Sequence, residues 1–138
     1  MQLGIQLTEK NTFDRNTAKM NFRETVWAHI ERLGLTRNKF YERTLLDDRQ
    51  FRKFKLGSSQ QVTLDTALAV CVGLDLGLEY GEPLLAKAGY TIANFESNAY
   101  QILLTRCRGW DIPACNEFLK TQNVPLIRIK ECQALVEL

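Results

Sequence analysis

Basic side chains are concentrated in residues 35–57, LTRNKFYERTLLDDRQFRKFKLG. This stretch carries seven lysines and arginines against three aspartates and glutamates. Arginine and lysine are the side chains that most often bind phosphate groups. Within the stretch, Arg49 and Lys53 are four residues apart, a spacing that places both on one face of a helix. The chemistry that these residues favour is the binding of an anionic partner.

The charge of the chain is divided unevenly along its length. The 138 residues have a net charge of only +2. Residues 1–57 contain 12 lysines and arginines against 7 acidic residues, and residues 58–138 contain 6 against 9. An excess of positive charge in one half favours an anionic partner for that half.

Motifs for other chemistries do not occur. The four cysteines show no C-x-x-C pair, and the single histidine, His29, is distant from all of them. Zinc sites bring their ligands in close couples, so no metal site is expected. The chain has no Gly-rich phosphate loop and no paired carboxylates suited to acid–base work, and Glu79 and Glu82 fit an acidic first helical turn. The sequence therefore predicts no enzyme and no cofactor, and it predicts reduced, mostly buried thiols at Cys71, Cys107, Cys115 and Cys132.

Targeting and membrane signals are also missing from the sequence. No basic region followed by an apolar one begins the chain, and no apolar run approaches the roughly 18 residues of a membrane span. We therefore expect a cytoplasmic protein that does not bind membranes.

Helices must position the basic stretch, and the sequence predicts where they begin and end. Residues 1–20 are polar, without helical spacing of apolar residues, and predict a tail or a loose strand. Phe22, Val26, Ile30 and Leu33 then form one stripe of a helix, which Asn21 caps and Gly34 ends. Trp27 and His29 lie off the centre of that stripe, and His29 is expected at the surface or on a flank.

Further helices follow to residue 121 and make the expected fold class all-α. The second runs from its cap at Thr36 to about Thr44 with Phe40 inward, and the third spans 47–56 with Phe51 and Phe54 inward. Thr63 caps a fourth helix, ending near Gly73. Later helices are expected over 79–88 with Pro83 in the first turn, over 94–108 and over 113–121. Residues 125–138 fit either a strand or a helix.

Residues 35–76 resemble the helix-turn-helix domain of the Cro and lambda-repressor type, the XRE family. Leu35-Thr36 open the second helix, and Phe40 stands at the buried position of that helix. Phe51 and Phe54 stand at the two buried positions of the third helix, which Gly57 closes. Residues 63–68, TLDTAL, match the stretch that follows in the family. Residues 76–90 are similar to the segment after this domain in some small bacterial regulators. The resemblance implies a five-helix domain over 21–90, with residues 91–138 as a helical extension.

Two residues depart from the pattern of that family. Leu45 stands where the turn usually has Gly, which allows a positive φ angle. We expect either a differently shaped turn or a Leu45 side chain that plugs the core. Tyr41 replaces a small Ala, which predicts spread helices or a ring along their edge.

The resemblance implies that the helix 47–56 enters the major groove of DNA. Its frame assigns Asp48, Arg49 and Lys53 to base contacts, with Gln50 and Arg52 beside them. Thr36 and Arg37 would meet phosphate, as would Leu56 to Ser59, including Ser58. Asp47 with Gln50 resembles a capping box. Asp48 fits two interpretations: it complements the helix dipole, or it accepts a hydrogen bond from the amino group of cytosine.

The function that this resemblance implies is that of a sequence-specific transcriptional regulator, which binds double-stranded DNA as a homodimer. Residues 91–138 are expected to serve dimerisation or packing. The alternative is a protein-interaction module derived from the same fold, in a toxin–antitoxin or phage-defence pair, with weak or no DNA binding. Leu45, Tyr41 and Asp48 are the residues that favour this alternative.

Overall fold

Helices account for all the regular structure in the part of the chain that the structure describes. The structure is a computed structural model, and it describes residues 2–91, 99–106 and 108–129. Those residues contain eight helices and no strand, which confirms the all-α prediction. The helices are α1 (Gln2–Thr17), α2 (Phe22–Leu33), α3 (Arg37–Thr44), α4 (Asp48–Leu56), α5 (Leu64–Gly73), α6 (Gly77–Lys87), α7 (Ala99–Arg106) and α8 (Ile112–Thr121).

The core is built around α5, the most apolar helix. Every residue from Ala67 to Leu74 is buried. α3, α6 and α8 pack against α5, while α4 packs against α2 and α3. Gly73 allows the close approach of α3, because a Cβ atom at this position would lie 2.6 Å from Thr44 Cγ2 and 2.7 Å from the Arg43 carbonyl oxygen.

The first twenty residues are not the predicted tail or strand, because Gln2–Thr17 form α1. This helix has no apolar stripe and is held by a few specific contacts instead. Phe13 packs on the aromatic rings of His29 and Tyr80, with ring centroids 4.2 and 5.5 Å away. Lys87 Nζ donates hydrogen bonds to the carbonyl oxygens of Thr17 and Met20 at 2.8 and 2.7 Å. Phe13 is one aromatic residue and leaves no periodic pattern, so no helical signal is visible in this part of the sequence.

His29 is buried, not at the surface as predicted. Its side chain is 1% exposed and lies between Phe13 and Tyr80. Arg32 Nε donates a hydrogen bond to His29 Nδ1 at 2.9 Å. Burial, and then the nearby charge of Arg32, lower the pKa of His29 from 6.5 to about 3. His29 is therefore neutral, and its proton is on Nε2.

Several boundaries of the later helices differ from prediction. α6 begins two residues before the predicted Glu79, so Pro83 lies inside the helix and not in its first turn. No side chain caps α6, and its start gives no local signal. α8 begins at Ile112 behind an Asp111 cap, one residue before the predicted start.

The C-terminal predictions can be compared only in part. α7 covers Ala99–Arg106 of the helix expected over 94–108, and residues 94–98, with Phe95, and 107 lie outside the described residues. Tyr100, Leu103 and Leu104 are buried as predicted. Of the tail, residues 125–129 form neither helix nor strand, and residues 130–138 are not described.

The cysteines and the lengths of the helices can be compared with prediction over the described residues. Cys71 and Cys115 are buried, as predicted, and burial raises the pKa of Cys71 to about 12. Cys107 and Cys132 lie outside the described residues. None of the described helices has the length and apolar character needed to cross a membrane.

Candidate nucleic-acid interface

The orientation of α4 is set by two phenylalanines on its inner face. Phe54 is fully buried and Phe51 is 7% exposed. Both rings meet Phe40 of α3 in T-shaped contacts, with centroids 5.4 Å away for Phe51 and 5.7 Å for Phe54. Trp27 of α2 makes a third such contact with Phe51, at 5.3 Å. Edge-to-face packing restricts how a helix can rotate about its axis, so these rings fix the face that α4 turns outward.

The turn between α3 and α4 keeps the left-handed conformation without a glycine. Leu45 has a φ of 61°, and its N–H donates to the Tyr41 carbonyl at 2.8 Å. Leu46, not Leu45, fills the core, with 5% exposure. Thr44 Oγ1 accepts a hydrogen bond from the Leu46 N–H at 3.2 Å. Tyr41 is 43% exposed, in agreement with a ring that lies along the edge of the helix pair.

Asp47 caps α4, but the predicted capping box is only half formed. The Asp47 carboxylate accepts a hydrogen bond from the Gln50 N–H at 3.0 Å. Gln50 does not return it, because its Oε1 is buried and has no hydrogen-bond partner in the described structure. A complete capping box occurs instead at the start of α2, between Asn21 and Glu24.

The outward face of α4 carries a stripe of basic residues. Arg49, Arg52, Lys53 and Leu56 follow the i, i+3, i+4, i+7 spacing of one helix face, opposite Phe51 and Phe54. Arg49 and Arg52 are exposed, Lys53 is partly buried, and Leu56 is 82% exposed. No ion pair or side-chain hydrogen bond joins Arg49 or Lys53 to another described residue. These two cations are therefore available to an external anion.

Asp48 and two arginines form an ion-paired group beside that stripe. Arg37 Nε lies 2.9 Å from Asp48 Oδ1, and Arg52 Nε lies 3.3 Å from Asp48 Oδ2. The contact of Arg37 with Oδ1 lacks the geometry of a hydrogen bond. Arg37 also lies 5.6 Å from the centroid of the Phe51 ring. Arg37, predicted to meet phosphate, and Arg52, predicted to lie beside the base contacts, are thus both paired with Asp48.

The remaining predicted site residues flank α3 and α4. Thr36 is exposed, and its Oγ1 caps α3 by accepting from the Lys39 N–H at 3.2 Å. Ser58 is partly buried, and its Oγ accepts from the Gln60 N–H at 3.2 Å. Ser59 is exposed. Gln50 is partly buried and lies off the basic stripe, so the structure does not bring it to the outward face with Arg49.

Asn21 and Arg23 hold the loop after α4 through contacts that the sequence did not predict. Arg23 is 3% exposed, and its Nη1 donates to the carbonyl oxygens of Ser58, at 3.3 Å, and of Gln60. Asn21 Nδ2 donates to the Gly57 carbonyl at 3.0 Å. Burial lowers the pKa of Arg23. The signal was present, because Arg23 precedes Val26 and Ile30 by three and seven residues and so shares their buried stripe.

Comparisons with known proteins give no relative. No protein-family model, curated protein or solved structure matches this chain.

Proposed function

We propose that the chain binds double-stranded DNA as a helix-turn-helix protein of the Cro and lambda-repressor type, with α4 in the major groove. The observation that carries this proposal is the basic stripe of α4. Its residues Arg49 and Lys53 point away from Phe51 and Phe54 and have no partner among the described residues. A short, rigidly held helix with free cations on its outer face has the form that enters a major groove.

The flanking residues support contacts with the phosphate backbone. Arg37 at the start of α3 and the loop that contains Ser58 and Ser59 lie at opposite ends of the α3–α4 pair. Phosphate contacts position a protein on the duplex, and base contacts specify the sequence. Arg23 and Asn21 keep the loop in place at the C-terminal end of α4. In this proposal Arg49 reads a guanine edge and Lys53 contacts a neighbouring base or phosphate.

The experiment that tests the proposal is selection from a random duplex pool followed by fluorescence anisotropy. The variant Arg49→Ala/Lys53→Ala is compared with Arg15→Ala/Lys19→Ala, which removes the same charge from exposed positions on and just after α1. We expect the wild-type chain and the control to bind with a steep salt dependence, and we expect the α4 variant to lose at least tenfold in affinity. Equal affinities for the two variants would refute the assignment of α4.

A second candidate function, a protein-interaction module, is supported by the same surface. Asp48 pairs with two arginines, and the residues Leu56 and Tyr41 are 82% and 43% exposed. Exposed apolar side chains beside charged ones are common at protein–protein interfaces. This function would give salt-insensitive binding to a protein and none to DNA, whereas binding through phosphates weakens steeply with salt.

Homodimerisation is the remaining part of the proposal. Proteins of this type read short half-sites, and dimers align with palindromic sites. The region of α8 presents an apolar surface that can serve this purpose. Trp110, just before α8, is 44% exposed, and its ring lies 6.5 Å from that of Phe118 on α8. Sedimentation equilibrium of the wild-type chain and of Trp110→Ala tests the dimer, and a monomeric wild-type chain at micromolar concentration would exclude it.

A further inference from the structure

Asp48 occupies an unusual place for a carboxylate on a basic surface. It lies in the first turn of α4 and ion-pairs with Arg37 of α3, at 2.9 Å, and with Arg52 one turn along α4, at 3.3 Å. The side chains are 44% exposed for Asp48, 58% for Arg37 and 70% for Arg52, although the Oδ1 atom of Asp48 itself is buried. One carboxylate therefore holds guanidinium groups from both helices of the pair.

The stability of the fold does not account for this arrangement. Exposed ion pairs contribute little to folding, because solvent and salt screen them. Asp47 already caps α4, so the helix does not need a second acidic residue to satisfy its first N–H groups. The effect of Asp48 on an approaching polyanion is larger. Its charge repels phosphate, and each arginine that it holds is withdrawn from a phosphate contact.

We infer that Asp48 is a specificity-determining residue that suppresses binding to duplexes in general. This inference rests on the proposed function and extends it to the class of sequence that is bound. A duplex that presents an amino group to the Asp48 carboxylate, from cytosine N4 or adenine N6, satisfies it in place of the arginines. Arg37 and Arg52 are then free to contact phosphates. A duplex with guanine or thymine at that position presents acceptors to the carboxylate and leaves the arginines engaged.

The test compares two duplexes of equal length, one recovered by selection with the wild-type chain and one of shuffled sequence. The variant is Asp48→Asn, and the matched control is Glu82→Gln, which removes one negative charge from an exposed position on α6. We expect Asp48→Asn to bind the shuffled duplex about tenfold more tightly at low salt and to lower the ratio of specific to shuffled affinity. We also expect a salt dependence steeper by roughly one to two units, since each freed arginine that neutralises a phosphate adds about 0.9. Glu82→Gln leaves both affinities unchanged.

A second background separates the release of the arginines from simple loss of charge. In Arg37→Gln/Arg52→Gln, Asp48 has no arginine to hold, so the gain from Asp48→Asn should fall from about tenfold to less than threefold. An undiminished gain in this background would overturn the inference. Circular dichroism of each variant confirms that α4 and its neighbours remain folded.

The outcomes distinguish this inference from the proposed function. If the wild-type chain binds DNA, and Asp48→Asn binds each duplex with the same affinity as the wild-type chain, the inference is wrong and the proposed function stands. If only Asp48→Asn binds the random duplex pool, Asp48 does suppress binding, and the wild-type chain is not a DNA-binding protein. If neither chain binds, both proposals are wrong.

Discussion

The burial of His29 makes the stability of the fold sensitive to mild acid. His29 lies between the rings of Phe13 and Tyr80, and its Nδ1 accepts a hydrogen bond from Arg32. Protonating Nδ1 would remove this acceptor and place a second cation beside Arg32. The folded state therefore favours the neutral imidazole, with a pKa of about 3 in place of 6.5.

The sign and size of the effect follow from this shift. Because the folded pKa is depressed, the unfolded chain binds a proton that the folded chain does not as the pH falls below 6.5. Stability is thus fully present above that pH and is lost as the pH falls toward 3. Between pH 7 and pH 5 the loss is about 2 kcal/mol, at 1.36 kcal/mol per unit over the part of the titration that this range covers. For a chain of this size, that loss corresponds to a fall in Tm of roughly 6–10 °C.

Urea unfolding followed by circular dichroism at pH 7 and pH 5 measures this loss. The comparison is His29→Gln, whose side-chain oxygen can still accept from Arg32 but does not titrate. We expect the variant to be less stable at pH 7, since it loses the ring contacts, yet to lose less than about 0.5 kcal/mol between the two pH values. His29 is the only histidine of the chain, so no other imidazole contributes in this range.

An equal loss of stability in the wild-type chain and in His29→Gln would refute the reasoning. The pH dependence would then come from the carboxylates, which are common to both chains. A wild-type loss below about 0.5 kcal/mol would likewise show that His29 titrates near its ordinary pKa in the folded protein.

Three other predictions concern the packing that holds α3 and α4. Gly73→Ala should lower the free energy of unfolding by about 2–4 kcal/mol, because the new Cβ would meet backbone and methyl atoms of α3. In Gly81→Ala the Cβ would meet the flexible end of a leucine at 3.2 Å, and the loss should be under about 1 kcal/mol. Thermal unfolding of both variants tests this difference. Asn21→Ala should destabilise the fold by about 1 kcal/mol more than Asp47→Ala, because Asn21 completes a capping box and also holds the loop after α4. Equal urea midpoints for the two variants would contradict this. Arg23→Met should weaken duplex binding by about tenfold while the folded fraction stays near one, because Arg23 holds the loop after α4 in position. Fluorescence anisotropy with the selected duplex measures this, and an unchanged affinity would show that the position of the loop is unimportant.

Local signals made the α2–α4 region predictable from sequence. The caps Asn21, Thr36 and Asp47 each accept from a backbone N–H three residues on, as their residue types predict. Gly34 and Gly57 end their helices with φ angles of 63° and 68°. Such signals depend on neighbouring residues alone, so they can be recognised in the sequence before any tertiary structure is known.

Long-range contacts account for the features that could not be predicted. α1 is helical in its place because Phe13 meets side chains far along the chain, and no pattern within residues 1–20 reports this. The pairing of Asp48 with Arg37 requires the exact angle between α3 and α4. His29 differs, since it follows Phe22 and Val26 by seven and three residues and so lies at the edge of the same stripe. That angular position is compatible with burial, which the polar residue type does not indicate.

The arrangement of contacts around α2 explains how one small domain can keep its basic stripe uncovered. One side of α2 carries His29 and faces α1 and α6, while Trp27 faces α4. α7 and α8 pack on α6 and α5, and Arg49 stays exposed in their presence. Because α4 takes its orientation from α2 and α3, the helices after α6 are not needed to aim it. Under the proposed function, Trp110→Ala, just before α8, should therefore change self-association without changing the affinity of α4 for a half-site. A loss of half-site affinity in this variant would show that the two surfaces are coupled.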